Sequence, residues 1–250
     1  MVPALILVGA DKGSVGKTTV SRLLLDYLGT RNTPTRAFDS EFPRGTLKRF
    51  HPDQTEIVDL TDTSHQMRII DTLEQSGSTA TVVDIRAGRL NPTLQTLRDI
   101  GFLDAARDGH FTLCVFHVLG TSISSLEEIE TTAPFVNHAN YYLVKNHIND
   151  TSFFEWDPKT YGGFFDRVKS AGEIPISKLN ELAYEQVEVA GVPFSRFVEN
   201  KTSTNEPASY SFVLRGHVRT WLKQVEAGLQ AALCYPDVLG GKRGKRAQSG

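Results

Sequence analysis

The chain has 250 residues, 40% hydrophobic and 22% charged, with a formal net charge of −2. That length suits one substantial core, and the near-neutral charge excludes a global basic field that would recruit nucleic acid. Its two cysteines make neither a disulfide framework nor a CxxC pair, and no apolar run nears the roughly 20 residues of a membrane span, so a reducing cytoplasm is the expected compartment.

The first apolar run, residues 4–8, lacks the basic flank and small-residue cleavage site of a signal peptide and reads as a buried strand. A helix is predicted over 17–28, with Val20, Leu23, Leu24 and Leu28 on one face. Short strands follow at 35–38 and 56–60, a helix at 64–74, and a strand at 81–83 that stops at Asp84. Residues 91–100 read as a helix with Pro92 in its first turn, and 111–119 as a strong strand. A helix at 124–133 precedes a strand at 141–145 that ends at Asn146. Residues 151–172 are aromatic- and Gly-rich and give no clear period. Their Phe153, Phe154, Trp156, Phe164 and Phe165 suit a core or a partner surface. A strand at 173–176, a helix at 179–190 and a long helix at 209–233 complete the series. In the long helix Val213, Val218, Trp221, Leu222, Val225 and Leu229 are expected inward. Alternating strands and helices predict an α/β fold, a mostly parallel sheet with helices on both faces. No linker interrupts residues 1–236, which read as one domain. Residues 237–250 read as a flexible basic tail, with Lys242, Arg243, Lys245 and Arg246 available to DNA phosphates or simply solvated.

In such sheets ligands bind beyond the carboxyl ends of the strands, here after Val8, Phe38, Val83 and Val144. The stretch after Val8, "DKGSVGKTTV" (11–20), has the order strand, Gly-rich turn, GK[ST], helix that makes a phosphate-binding P-loop. Gly13, Ser14, Val15 and Gly16 would turn backbone N–H groups toward phosphates, at the positive end of the following helix. Lys17 is expected to reach the β- and γ-phosphates, Thr18 to ligate Mg²⁺, and Thr19 to continue the nucleotide site. Asp11 stands where the strict pattern has its leading Gly. Lys12 is a second lysine in the same loop. One triphosphate has no need for it, so it is read either as a cation aimed at a facing subunit's nucleotide, as an arginine finger is, or as a solvated residue.

"KGSVGKTT" resembles the deviant Walker A motif of the ParA/MinD family of dimeric P-loop ATPases. The resemblance implies that Lys12 completes the partner's site across an ATP sandwich. "AFDSEF" is similar to the family's switch I, with Asp39 near Mg²⁺ and Glu41, in place of a second Asp, positioning the attacking water. "VVDIRAG" is similar to switch II, D-x-P-A-G, with Arg86 where Pro is usual. There Asp84 would hold a Mg²⁺-bound water and the Gly88 N–H would meet the γ-phosphate. Asn146 would bond the adenine edge, and no Asn-Lys-x-Asp guanine reader is present.

The family implies ATP and Mg²⁺ as cofactors, and Lys12, Lys17, Asp39 and Glu41 as catalytic groups. It also implies an ATP-dependent homodimer and slow hydrolysis stimulated by a protein activator or cargo partner. Plasmid partition, conjugative transfer or cargo positioning are the roles to expect. DNA contact through a local patch or the tail stays open, and no amphipathic membrane helix is evident. The interval from Lys17 to Asp84 is short for the family. Two other readings remain: an ATP-dependent biosynthetic enzyme of the dethiobiotin synthetase or cobyrinic acid amidation type, and a non-hydrolysing nucleotide-binding scaffold. The seven histidines lack metal-ligand spacing, and Cys114, mid-strand, reads as core.

Overall fold

A computed structural model describes residues 2–75, 77–147, 153, 162–164, 168 and 172–233. Seven strands form one sheet: β1 (Ala4–Gly9), β2 (Thr35–Asp39), β3 (Thr55–Ile57), β4 (Ala80–Asp84), β5 (Thr112–Leu119), β6 (Asn140–Asn146) and β7 (Gly172–Ile176). Their order is β3-β2-β4-β1-β5-β6-β7, and every pairing is parallel. The α/β expectation holds.

Strand alternation divides the core into two layers. Ile6 and Val8 face α1 (Lys17–Thr30), whose Val20, Leu23, Leu24 and Leu28 are all buried against them. Leu5 and Leu7 face the other way, onto Leu90, Leu94 and Leu97 of α4 (Leu90–Asp99) and Leu126 and Ile129 of α6 (Ile123–Thr132). A strand buried on both faces needs a continuous apolar run, which residues 4–8 supply. Phe153 and Phe164 pack against the second layer. Phe154, Trp156 and Phe165 of the aromatic stretch and the tail 237–250 lie outside the described residues.

The other helices are α2 (Thr46–Phe50), α3 (Thr63–Ile70), α5 (Phe102–Arg107), α7 (Glu181–Ala190), α8 (Phe194–Val198) and α9 (Phe212–Leu233). In α9 Val218, Trp221, Leu222, Val225 and Leu229 are buried as expected, but Val213 is 63% exposed. It lies in the first turn, beside the equally exposed Phe212, ahead of the stretch that packs.

Register places the acids. Val8 pairs with Asp84, and Asp84 pairs with Asp39. Both carboxylates therefore end their strands at the same level, beside the loop that leaves β1. The sequence reading stopped these strands one residue short because Asp is a poor strand former. Ladder pairing with buried neighbours overrides that preference.

Behind the loop, α1 carries two buried charges. Arg22 pairs with Glu188 of α7 at 2.5 Å and stacks on Phe50 and Phe194, its Cζ 3.4 and 4.1 Å from their ring centres. Asp26 accepts from the Phe194 N–H at 2.9 Å and the Ser195 hydroxyl at 2.5 Å, and so caps α8. Burial pushes the Asp26 carboxyl up to about 6, against these hydrogen bonds and Arg22. A raised carboxyl means the folded state holds its proton more tightly than the unfolded chain. The resulting advantage is whole below about pH 3 and is lost as pH rises to about 6. Asp26→Asn keeps the protonated form's shape and removes that loss. Thermal melts should show the variant equal to wild type near pH 3 and about 1–3 kcal/mol more stable at pH 8.

Candidate functional site

The loop between β1 and α1 turns through two left-handed residues, Ser14 (φ 59) and Gly16 (φ 91), and Gly16 is the N-cap of α1. Positive φ at that turn is why glycine precedes Lys17. The Val15 side chain is buried and packs toward Gly120, where a Cβ would meet it at 2.8 Å. Val15 therefore contributes backbone to the site while its side chain anchors the loop. Asn146, at the end of β6, donates through Nδ2 to the Val15 carbonyl at 2.9 Å. It lines the same cavity as the loop, so the residue expected to read adenine also braces the phosphate loop.

The loop's first residues rest on a polar network. The Asp11 N–H donates to Glu128 Oε2 at 2.9 Å, and Asp11 Oδ2 accepts from Asn91 Nδ2 at 2.8 Å. Glu128 Oε2 also lies 3.3 Å from His117 Nε2, and His117 Nδ1 lies 2.7 Å from the Tyr141 hydroxyl. His117 is wholly buried. Sequence reasoning missed this network. The one signal was a histidine inside the apolar run 111–119, a buried polar group that requires partners.

A cavity of about 850 Å³ opens at the carboxyl edge of the sheet. The loop residues Gly13, Ser14, Gly16, Lys17, Thr18 and Thr19 line it together with Asp39, Glu41, Asp84 and Arg86. Lys17 Nζ donates to the Lys12 carbonyl at 2.8 Å. Burial holds the Lys17 ammonium below its ordinary range, opposed by Asp84, Glu128, Glu41 and Asp11. Asp84 is pushed up to about 7, by burial first and also by Asp39, while Thr18, Ser21 and Lys17 pull it down. Ser21 Oγ is buried and has no partner at hydrogen-bond geometry.

A divalent cation fits this corner. The buried Asp84 carboxyl and the Thr18 and Ser21 hydroxyls beside it are the oxygen donors that Mg²⁺ prefers, and Mg²⁺ keeps most of its ligands as water and phosphate. Accordingly a nucleotide-dependent site needs no cluster of three acidic, His or Cys ligands, and none occurs among the described residues.

Asp39, expected beside the metal, lines the cavity with both oxygens already engaged. It accepts from the N–H groups of Glu41 at 3.0 Å, Leu47 at 2.7 Å and Lys48 at 3.3 Å. It thereby folds residues 40–47 into a loop and caps α2. Gly45 is forced by this approach, since a Cβ there would lie 2.6 Å from Asp39 Oδ2. Glu41 is exposed in the wall and accepts from the Thr46 hydroxyl. Thr19 Oγ1 is 3.4 Å from the Tyr184 hydroxyl. The nucleoside end adds Ser177, Leu179, Tyr184 and Trp221. Gly88 has φ 74 and stands beyond the wall.

Lys12 is not part of the wall of its own cavity. Its side chain is exposed and lies along the start of α6, with Nζ 3.1 Å from Ser122 Oγ and 2.5 Å from Ser124 Oγ.

The fold matches solved structures. MinD from Pyrococcus horikoshii, complexed with Mg-ADP, superposes with a TM-score of 0.55 at 15% identity, covering 91% of this chain and 96% of that one. A ParA family ATPase from Chlorobium tepidum gives 0.55 at 12% identity over 89% and 98%. The chain has the fold of the MinD and ParA ATPases. An ATP complex of Cyanothece McdA agrees, with a TM-score of 0.53 at 11% identity over 93% and 97%. No family model and no curated protein matches the chain.

Proposed function

We propose that the chain is an ATP-dependent switch that pairs with a second copy around bound nucleotide and hydrolyses it slowly, with a protein activator or cargo as its further partner. Plasmid partition, conjugative transfer or cargo positioning is the class of work. The observation that carries this reading is Lys12. It sits in the phosphate loop yet lies outside the cavity, so its ammonium is available to a nucleotide other than its own. Its hydrogen bonds go to the hydroxyls of half-buried Ser122 and exposed Ser124, neutral acceptors that a phosphate oxygen outcompetes. The neighbours' bound Mg-ADP and ATP support nucleotide as the ligand.

In this reading Lys17 and the loop N–H groups hold the phosphates, and Thr18 and Asp84 hold the metal. A Mg²⁺ held there by Thr18 and Asp84 would supply charge stabilisation to the phosphates. Glu41 orients the attacking water from the exposed side of the wall. Asp39 keeps Glu41 in place through the loop it folds.

The test is ATP turnover with no small carboxylate present. A switch hydrolyses slowly on its own, and Glu41→Ala should bind ATP normally while losing most of that turnover. Turnover that starts only when a small acceptor is added would assign the site to a biosynthetic enzyme instead.

A further inference from the structure

We propose that Arg86 is a further catalytic residue, whose guanidinium neutralises the terminal phosphate of the nucleotide held by its own chain as that phosphate is transferred. This rests on the phosphoryl-transfer reading above.

Arg86 follows Asp84 by two residues, where β4 leaves the sheet, and its backbone is fixed on both sides. The Ile85 N–H donates to the Val8 carbonyl at 2.8 Å, and the Arg86 N–H to Ser40 Oγ at 2.8 Å. Ser40 is buried, and its own N–H donates to the Asp84 carbonyl at 3.0 Å. The bond to Ser40 requires an N–H that proline lacks, so the residue in place of the motif's Pro is structurally integrated. It ties β4 to the loop that carries Glu41.

Arg86 is exposed and is among the residues that line the cavity with Lys17 and Thr18. Among the described residues its guanidinium has no hydrogen bond or ion pair. The other cations of the wall are engaged: Lys17 donates to the Lys12 carbonyl, and Lys178 pairs with Glu181 at 2.7 Å at the nucleoside end. Three carboxyl groups, Asp39, Glu41 and Asp84, face the phosphate end. A tetra-anionic nucleotide beside them keeps net negative charge even with Lys17 and a divalent cation at the site. A planar guanidinium with five donors suits a phosphoryl group in transfer.

In the step itself the water oxygen bonds to the γ-phosphorus. The bond to the β–γ bridging oxygen breaks, and its electron pair stays on ADP. One water proton passes to solvent and the other stays on the phosphate. Arg86 would donate to equatorial oxygens whose charge is greatest in mid-transfer, so its effect falls on rate rather than on ADP affinity.

The test compares wild type, Arg86→Ala and Arg86→Lys in three assays: titration with a fluorescent ADP analogue, titration of ADP with aluminium fluoride, and single-turnover hydrolysis. In Arg86→Ala, ADP affinity should stay within about threefold of wild type. Aluminium fluoride complex formation and the hydrolysis rate should each fall about a hundredfold or more, with partial recovery in Arg86→Lys. Rates within about threefold of wild type overturn the inference, as does an equal loss of ADP affinity. Recovery of Arg86→Ala on adding Lys17→Ala chains would show that the guanidinium acts across subunits, and overturns the same-chain assignment. A wild type that neither binds ATP nor turns it over overturns the phosphoryl-transfer reading, and this inference with it. Normal wild-type turnover with unchanged Arg86→Ala overturns this inference alone.

Discussion

Lys17→Ala should abolish useful ATP binding while leaving the apo fold intact. Lys17 is the buried ammonium of the phosphate loop, and it satisfies itself on the Lys12 carbonyl of its own loop. A phosphate oxygen is a stronger acceptor than that carbonyl, so nucleotide entry exchanges a neutral bond for a charge-assisted one. Removing one partner of a buried charge pair costs about 2–5 kcal/mol. Affinity should therefore fall from about thirtyfold to a few thousandfold. Burial already holds this ammonium below its ordinary range, so its loss does not weaken the apo protein. Titration with a fluorescent ATP analogue reads the first effect and a thermal melt the second. Unchanged affinity with an unchanged melt would remove the phosphate-loop assignment.

Asp84→Asn should have two opposed effects. The carboxyl is fully enclosed at the end of β4 and pushed up to about 7 by burial. The folded state therefore binds this proton more tightly than the unfolded chain. Stability is undiminished below about pH 3, falls as pH rises to about 7, and stays reduced above it. The amide avoids that loss, so apo Asp84→Asn should melt higher than wild type at pH 8, by an amount on the order of 2–4 kcal/mol, and the gap should shrink to a fraction of that by pH 4. Mg²⁺ with ADP should then stabilise wild type but not the variant, because the amide carries no charge for the cation. Hydrolysis should fall about a hundredfold or more, since a bound metal contributes several kcal/mol of charge stabilisation. Melts at pH 4 and pH 8, with and without Mg²⁺ and ADP, separate these effects. A variant that melts below wild type at pH 8, or that keeps its turnover, would show that Asp84 is an ordinary satisfied carboxylate.

Much of the fold was legible because its signals are local. The apolar run at 4–8, the helical stripe Val20, Leu23, Leu24 and Leu28, and the order of GK[ST] after a strand each lie within a few residues. The short helices α2 and α5 gave no such signal. α2 exists because Asp39, seven residues before its start, reaches forward to cap it. Val213 was misplaced because periodicity counts faces and cannot tell where a long helix begins to pack. The site divides the same way. Lys17, Thr18, Glu41 and Asp84 were readable and line one cavity. Glu128, His117, Tyr141 and Asn91 were not, because they come to the loop from α6, β5, β6 and α4, elements far from it in sequence. Asn146 was readable as a strand-end residue, but its bond to Val15 spans 131 positions and has no sequence signature.

The account turns on whether Lys12 serves a second copy. Sedimentation of the hydrolysis-impaired Glu41→Ala chain with ATP and Mg²⁺, with and without an added Lys12→Ala, measures this. Glu41→Ala should accumulate as dimer with ATP and stay monomeric with ADP. With Lys12 also removed, ATP binding by the monomer should hold within about threefold. The dimer should weaken at least tenfold, because two polyphosphates would then face each other with less positive charge between them. A double variant that dimerises as tightly as Glu41→Ala, together with normal turnover in Lys12→Ala alone, would make Lys12 a solvated loop residue and contradict the switch.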